Sequence, residues 1–406
     1  MALLDFFGTP EELRWFAIIF FGSLIPATGI AGILHRRNPL PLPGQRGYDF
    51  VVLGLGLWCM TGLLIDVWAH TNGEVDDSFF TKWHAVWYSG ATAYSAFILF
   101  ALWRLAEAPP KITPSGLWEF ATNVPKGYGA SVAGIAIFGF SGFADMLWHS
   151  FFGIEGGLDI LLSPSHLGLL IGLILTVMAP VFSGWQDPLS GKDGLTSQLV
   201  LIFGLAAAWV PILLITGQWD IFQLEIADYC YLGNNCGPGY EDSLAIGVVA
   251  SMVPTTIATG LILTFARRWT PAPGAMLVLF LFWGMSNYAM ENLDASYIYY
   301  GFIIGILVEI LSHFFLRKHR PIAFAITLPI VMLGTKMLAA VATVSQGSQW
   351  AITAHGEVFI QPYGWTIHAT SGSIIISCVM CALLAAAMHP PVVPDGPNMA
   401  DEDTGE

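Results

Sequence analysis

Charge is the scarcest property of this 406-residue chain: Asp, Glu, Lys and Arg make up 11% of it, against 55% hydrophobic residues. An ordinary soluble domain carries about 25% charge. So apolar a chain cannot cover a water-facing globule, and too few polar residues remain for a disordered one. Basic residues are scarcer still, 15 Lys and Arg against 29 Asp and Glu. No basic stripe is left for phosphate contacts, which excludes a nucleic-acid partner. The five cysteines are too scattered for a Cys-rich zinc module. Haem-attachment Cys-x-x-Cys-His, a Gly-rich phosphate loop ending in Lys-Ser/Thr, and His-x-x-His-His clusters are all absent.

What the chain has instead is long apolar runs. Eleven reach the roughly 20 residues a helix needs to cross a bilayer: 15–34, 49–69, 84–104, 129–149, 165–184, 197–217, 243–266, 274–292, 297–316, 322–344 and 366–388. The 43 glycines and 15 tryptophans suit close helix packing and interfacial anchoring. The expected fold is therefore all-α, a polytopic helix bundle in a lipid bilayer, with 1–389 as one unit because no linker interrupts it. Met1–Arg14 is acidic and runs straight into a full-length span, so no cleavable leader is expected. The acidic tail, 390–406, reads as disordered.

Basic residues set the expected orientation. Arg36, Arg37, Arg46, Arg104, Lys111, Lys126, Lys192, Arg267, Arg268, Arg317, Lys318 and Arg320 all fall on one side of the eleven-span scheme. The other side keeps only Arg14 and Lys82, and Lys336 lies within a span. This predicts an outer N-terminus and a cytoplasmic C-terminus in the plasma (inner) membrane. Cys230 and Cys236 then flank a short outer loop, where an oxidising compartment favours a disulfide over two free thiols. Cys59, Cys378 and Cys381 lie in spans and read as packing residues.

The scheme sorts the ten histidines as sharply. His70, His84, His149, His166, His355 and His368 fall at the outer ends of spans, in pairs that bracket loops containing Glu74, Glu155 and Glu357. The pattern reads as a weak repeat of a helix–loop–helix hairpin. Two of these hairpins carry Asp-x3-His, Asp66 with His70 and Asp145 with His149. That spacing puts both side chains on one helical face. A carboxylate one turn inside a membrane costs about 3 kcal/mol unless paired or liganded. Local Asp–His hydrogen bonding is the simpler explanation. A transition metal is the other, with His84 or His166 from the returning helix as third ligand. Ser163-Pro164 is a good helix start that would fix His166 in the first turn. His355, His368 and Glu155 are candidates for a further site.

Asp66-x3-His70-x13-His84 and Asp145-x3-His149-x16-His166 resemble a metal-binding motif of the membrane-bound copper monooxygenases that oxidise methane, ammonia or short alkanes. In that family one transmembrane component carries roughly Asp-x3-His-x12-His on adjacent helices near the outer face. The resemblance covers these two hairpins. It implies copper ahead of zinc or iron, an oxidoreductase acting on small apolar molecules, and companion membrane subunits.

Two other functions stay open beside a metal-dependent membrane oxidoreductase. One is a metal- or proton-coupled transporter, for which Lys336, Glu291, Asp294 and Glu309 would supply an ion pathway and the Glu309–His313 pair an inner relay. Lys336 paired structurally with Glu291 or Asp294 is the alternative. The other is a non-catalytic scaffold subunit of a membrane complex. Pro211, Pro254 and Pro329 are expected to kink their spans.

Overall fold

The computed structural model describes residues 8–45, 47–74, 79–106, 111–152, 161–223, 240–344, 351–352, 358–359 and 367–390; the side chains of 150, 240–244, 340–344, 351–352, 358–359 and 367–369 are outside the description. The described residues form a bundle of helices: α1 (Pro10–Arg37), α2 (Tyr48–Thr71), α3 (Lys82–Leu105), α4 (Pro114–Thr122), α5 (Gly129–Phe152), α6 (Pro164–Val177), α7 (Ala179–Gln186), α8 (Leu195–Thr216), α9 (Tyr240–Arg268), α10 (Ala275–Met290), α11 (Ser296–Phe314), α12 (Pro321–Val344) and α13 (Ile367–Met388). Two two-residue strands, Ala351–Ile352 and Val358–Phe359, pair antiparallel between α12 and α13.

Among the described residues ten stretches are long and apolar enough to span a membrane, α6 and α7 together counting as one. The span expected at 274–292 is shorter: α10 has 16 residues, about 24 Å at 1.5 Å per residue against a hydrocarbon core of about 30 Å. It ends at Met290 because Asn292 and Leu293 take positive φ and turn the chain back. Pro211, Pro254 and Pro329 lie inside unbroken helices. One span breaks in its interior at Met178, just ahead of Pro180, where the proline ring cannot accommodate a continuous ladder.

Helix starts follow their capping residues. Thr9 and Glu12 form a reciprocal capping box on α1, and Thr81, Thr113 and Ser163 cap α3, α4 and α6. The core centres on α8, the most buried span, whose Phe203 and Trp209 are almost fully enclosed, as are Phe280 and Trp283 of α10. Peripheral α1 has no buried residue and packs on α3.

Two hairpins, α2–α3 and α5–α6, are built alike. Gly90 lies six residues after His84 and abuts the Cys59 backbone, seven before Asp66. Gly172 lies six after His166 and abuts the Phe138 backbone, seven before Asp145. At each glycine a Cβ would fall within 2.7 Å or less of the facing backbone. The absence of a side chain lets each pair of helices touch along its length, and the same positions meet in both.

Candidate metal centre

The equivalence extends to the polar residues. In α2–α3, Asp66 and His70 occupy one face of the last turns of α2, and His84 is the third residue of α3. Thr81 Oγ1 accepts the His84 N–H at 3.0 Å, as Ser163 Oγ accepts the His166 N–H at 3.2 Å. In both hairpins the cap therefore places the returning histidine opposite the Asp. The chain folds the expected ligands into two groups, Asp66/His70/His84 and Asp145/His149/His166, each with its potential ligand atoms within 4.8 Å of one another.

The carboxylates are enclosed: Asp66 is 4% exposed and Asp145 2%. Asp66 Oδ2 lies 3.8 Å from His70 Nε2 and 3.5 Å from His84 Nε2. Asp145 Oδ2 lies 3.6 Å from His149 Nε2, and its Oδ1 3.3 Å from His166 Nδ1. Charge-assisted N–H···O hydrogen bonds run about 2.7–2.9 Å, so these atoms converge at ion-pair distance without short hydrogen bonds. Oδ1 of Asp66 and Oδ1 of Asp145 are buried with no hydrogen-bond partner among the described residues. A buried carboxylate oxygen left so is costly. Ligand atoms about 2.05 Å from a tetrahedral ion sit about 3.3 Å apart. The observed separations are therefore longer than good charge-assisted hydrogen bonds and close to the edges of a coordination shell. Carboxylate with two imidazoles is also a suitable donor set for zinc, copper or iron, so the residues fit a metal ion.

The two groups are neighbours. Asp66 interacts electrostatically with Asp145, His70 with both His149 and His166, and His84 with Asp145 and His149. Tyr88, one turn after His84, fills the space between the hairpins. Its ring meets those of His84 and Phe138, and its hydroxyl lies over Gly142, where a Cβ would sit 3.5 Å away. Tyr88 interacts with both carboxylates. Beneath the groups, Tyr88 and Phe79 join Phe16, Phe20, Phe138 and Met146 in lining an open apolar groove of about 500 Å³.

The chain matches no family model, no curated protein and no solved structure. It is an integral membrane helical protein with two Asp/His/His groups at one end of its bundle.

The other expected residues are distributed differently. His355, Glu155, Cys230 and Cys236 lie outside the described residues, as does the His368 side chain at the start of α13. Glu74 is exposed; its carbonyl accepts the Trp83 indole N–H. Glu309 accepts the Met276 N–H near the start of α10 and faces Arg317 at 3.4 Å. Asp294 accepts the N–H and hydroxyl of Ser296. Lys336 donates to the Phe222 carbonyl at 3.4 Å amid the rings of Phe222, Tyr297 and Tyr300.

Asp220 joins that cluster, a residue whose place no sequence pattern marks. It lies just past α8 in a turn that folds inward, with Asp220, Ile221 and Phe222 all fully buried. Oδ1 accepts the Phe222 N–H, and Oδ2 has no hydrogen-bond partner among the described residues. Burial pushes its carboxyl up to about 7, against the pull of the Phe222 N–H and Lys336, while Glu291 adds to the rise. The available signal was an apolar Ile221-Phe222 step in what otherwise reads as an outer loop.

Proposed function

We propose that this membrane protein binds transition-metal ions at the paired Asp/His/His groups, at the outer face of the plasma membrane, and uses them in copper-dependent oxidation of a small apolar molecule, alone or with companion subunits. The observation that carries the reading is the convergence of two imidazoles on each buried carboxylate at separations of 3.3–3.8 Å, with an orphaned oxygen on each Asp. The orphaned oxygens are what a purely structural Asp–His pair leaves unexplained. A bound metal would supply Lewis acidity or redox chemistry, with three protein ligands leaving a position for a small molecule. The chain's own contribution is to hold the donors on two glycine-sealed hairpins. The open apolar groove below is compatible with a lipophilic substrate reaching the groups from the bilayer, and the outer placement rests on the distribution of basic residues.

The test is metal analysis of the full chain purified in detergent without chelator, beside the Asp66→Asn/Asp145→Asn double variant. The expected result is stoichiometric copper, zinc or iron in the natural chain and at least tenfold less in the variant. Natural protein that is folded, metal-free and unable to take up Cu(II) or Zn(II) refutes the proposal.

A second reading, a cation- or proton-coupled transporter, draws on the buried Asp220 beside Lys336. Uptake of metal or protons by reconstituted vesicles, lost in Asp220→Asn, would favour it.

A further inference from the structure

The two groups share a ligand set and a backbone plan, yet their third histidines are held differently. His84 Nδ1 lies 2.7 Å from the Phe79 carbonyl. A carbonyl only accepts, so Nδ1 carries the proton and donates it there. That leaves Nε2 as the lone-pair nitrogen, and Nε2 is the atom facing Asp66. Outer partners of this kind fix the tautomer and ring orientation of a ligand, and their loss typically weakens metal affinity 10- to 100-fold. The Phe79 ring also lies against those of His84 and Tyr88, so the carbonyl is held by packing.

In the other group the nitrogen facing Asp145 is Nδ1 of His166, and that atom is engaged with Ser163 Oγ at 2.8 Å. Ser163 also caps α6 and lies 3.1 Å from the Ser165 hydroxyl. For Nδ1 to ligate an ion, its contact with Ser163 must be given up; for Nε2 to do so, the ring must turn. Either rearrangement reduces apparent affinity, because the competent state is only part of the population. The electrostatic contact between Asp66 and Asp145 adds a second effect: a cation at one carboxylate repels a cation at the other.

We infer that the paired centre loads in order: Asp66/His70/His84 is the preorganised, tight site, and Asp145/His149/His166 is the weaker, exchanging site, restrained by Ser163. This rests on the proposed metal-binding function and adds to it a fixed hierarchy between the two groups.

The experiment is a titration of the chelator-stripped full chain in detergent with Zn(II), followed by competition with a chromophoric chelator, on the natural chain and three variants. Two steps at least about tenfold apart in dissociation constant are expected for the natural chain. His84→Ala should remove the tight step and leave the weak one. His166→Ala should remove the weak step alone. Ser163→Gly keeps a residue tolerated at a helix start, so His166 stays in the first turn, while it frees Nδ1; it should tighten the weak step by about two- to tenfold, narrowing the gap. Equal steps, one ion lost in both histidine variants, or first loading at Asp145 would each overturn the hierarchy while leaving metal binding intact. Absence of any Zn(II) or Cu(II) binding would instead overturn the function on which it rests. Circular dichroism of each variant, unchanged from the natural chain, keeps loss of a step distinct from loss of fold.

Discussion

Replacing Gly172 with alanine should damage both the α5–α6 hairpin and the metal group it carries. A Cβ at this position would lie 2.5 Å from the Phe138 nitrogen and 2.8 Å from its Cα. Contacting heavy atoms prefer about 3.5–4.0 Å, so the helices must part by roughly 1 Å. Both clashing atoms are backbone, and no rotamer change relieves them. Overpacking of this kind costs about 1–3 kcal/mol. Alanine's better helix propensity returns up to about 1 kcal/mol, so the clean comparison is Gly139→Ala on α5, where a Cβ meets nothing within 4 Å. The control receives the propensity gain without the clash. In a chain this long, each kcal/mol moves the unfolding midpoint by about 2–4 °C; Gly172→Ala should therefore melt several degrees below Gly139→Ala in the same detergent. Parting the helices also moves His166 from Asp145, so Zn(II) affinity of that group should fall at least about tenfold, with the Asp66 group unchanged. Equal melting temperatures and equal Zn(II) binding for the two variants would refute the argument that bare glycine contacts set the ligand geometry.

Two further outcomes follow from capping and from burial. Thr81→Ala removes the side-chain acceptor of the His84 N–H; about 1 kcal/mol of stability should be lost, and Zn(II) binding at the Asp66 group should weaken, which calorimetry reads directly. Asp220 titrates near 7 in the folded chain and near 4 when unfolded, so between those values the folded state binds more protons. Stability should therefore fall as pH rises from about 4 to about 7, then level off. Asp220→Asn should flatten this slope and melt higher than the natural chain at pH 8; an unchanged slope would count against the buried carboxyl.

Much of the architecture and the grouping of both Asp/His/His sets are legible in the sequence because each depends on local order. Span length follows from apolar runs, the Asp-x3-His pairs from helical spacing, and the first-turn position of His166 from Ser163-Pro164. What was not legible depends on contacts between distant segments. That the two groups are neighbours follows from Tyr88 of α3 lying over Gly142 of α5, a packing choice that no pattern within either hairpin encodes. The end of α10 at Met290 comes from the positive-φ backbone at Asn292 and Leu293, together with the polar step Glu291–Asp294. For Lys336 the sequence offered Glu291 and Asp294 as partners; what it did not offer is Asp220, which the structure brings to Lys336 from a segment that reads as loop.

Each ligand set lies on two helices adjacent in the chain, Asp66 to His84 and Asp145 to His166, and this bears on biogenesis. Closing such short loops carries little entropic cost, and local contacts form early. During synthesis at the membrane, each half-centre can close as soon as its own hairpin has left the ribosome. All six ligands have been made by Pro164–Gln186, before α8 and the helices beyond it exist. Among the described residues the distal part of the bundle adds nothing to either group; it encloses side chains that are already in place, so a metal bound there could be captured before the fold is complete.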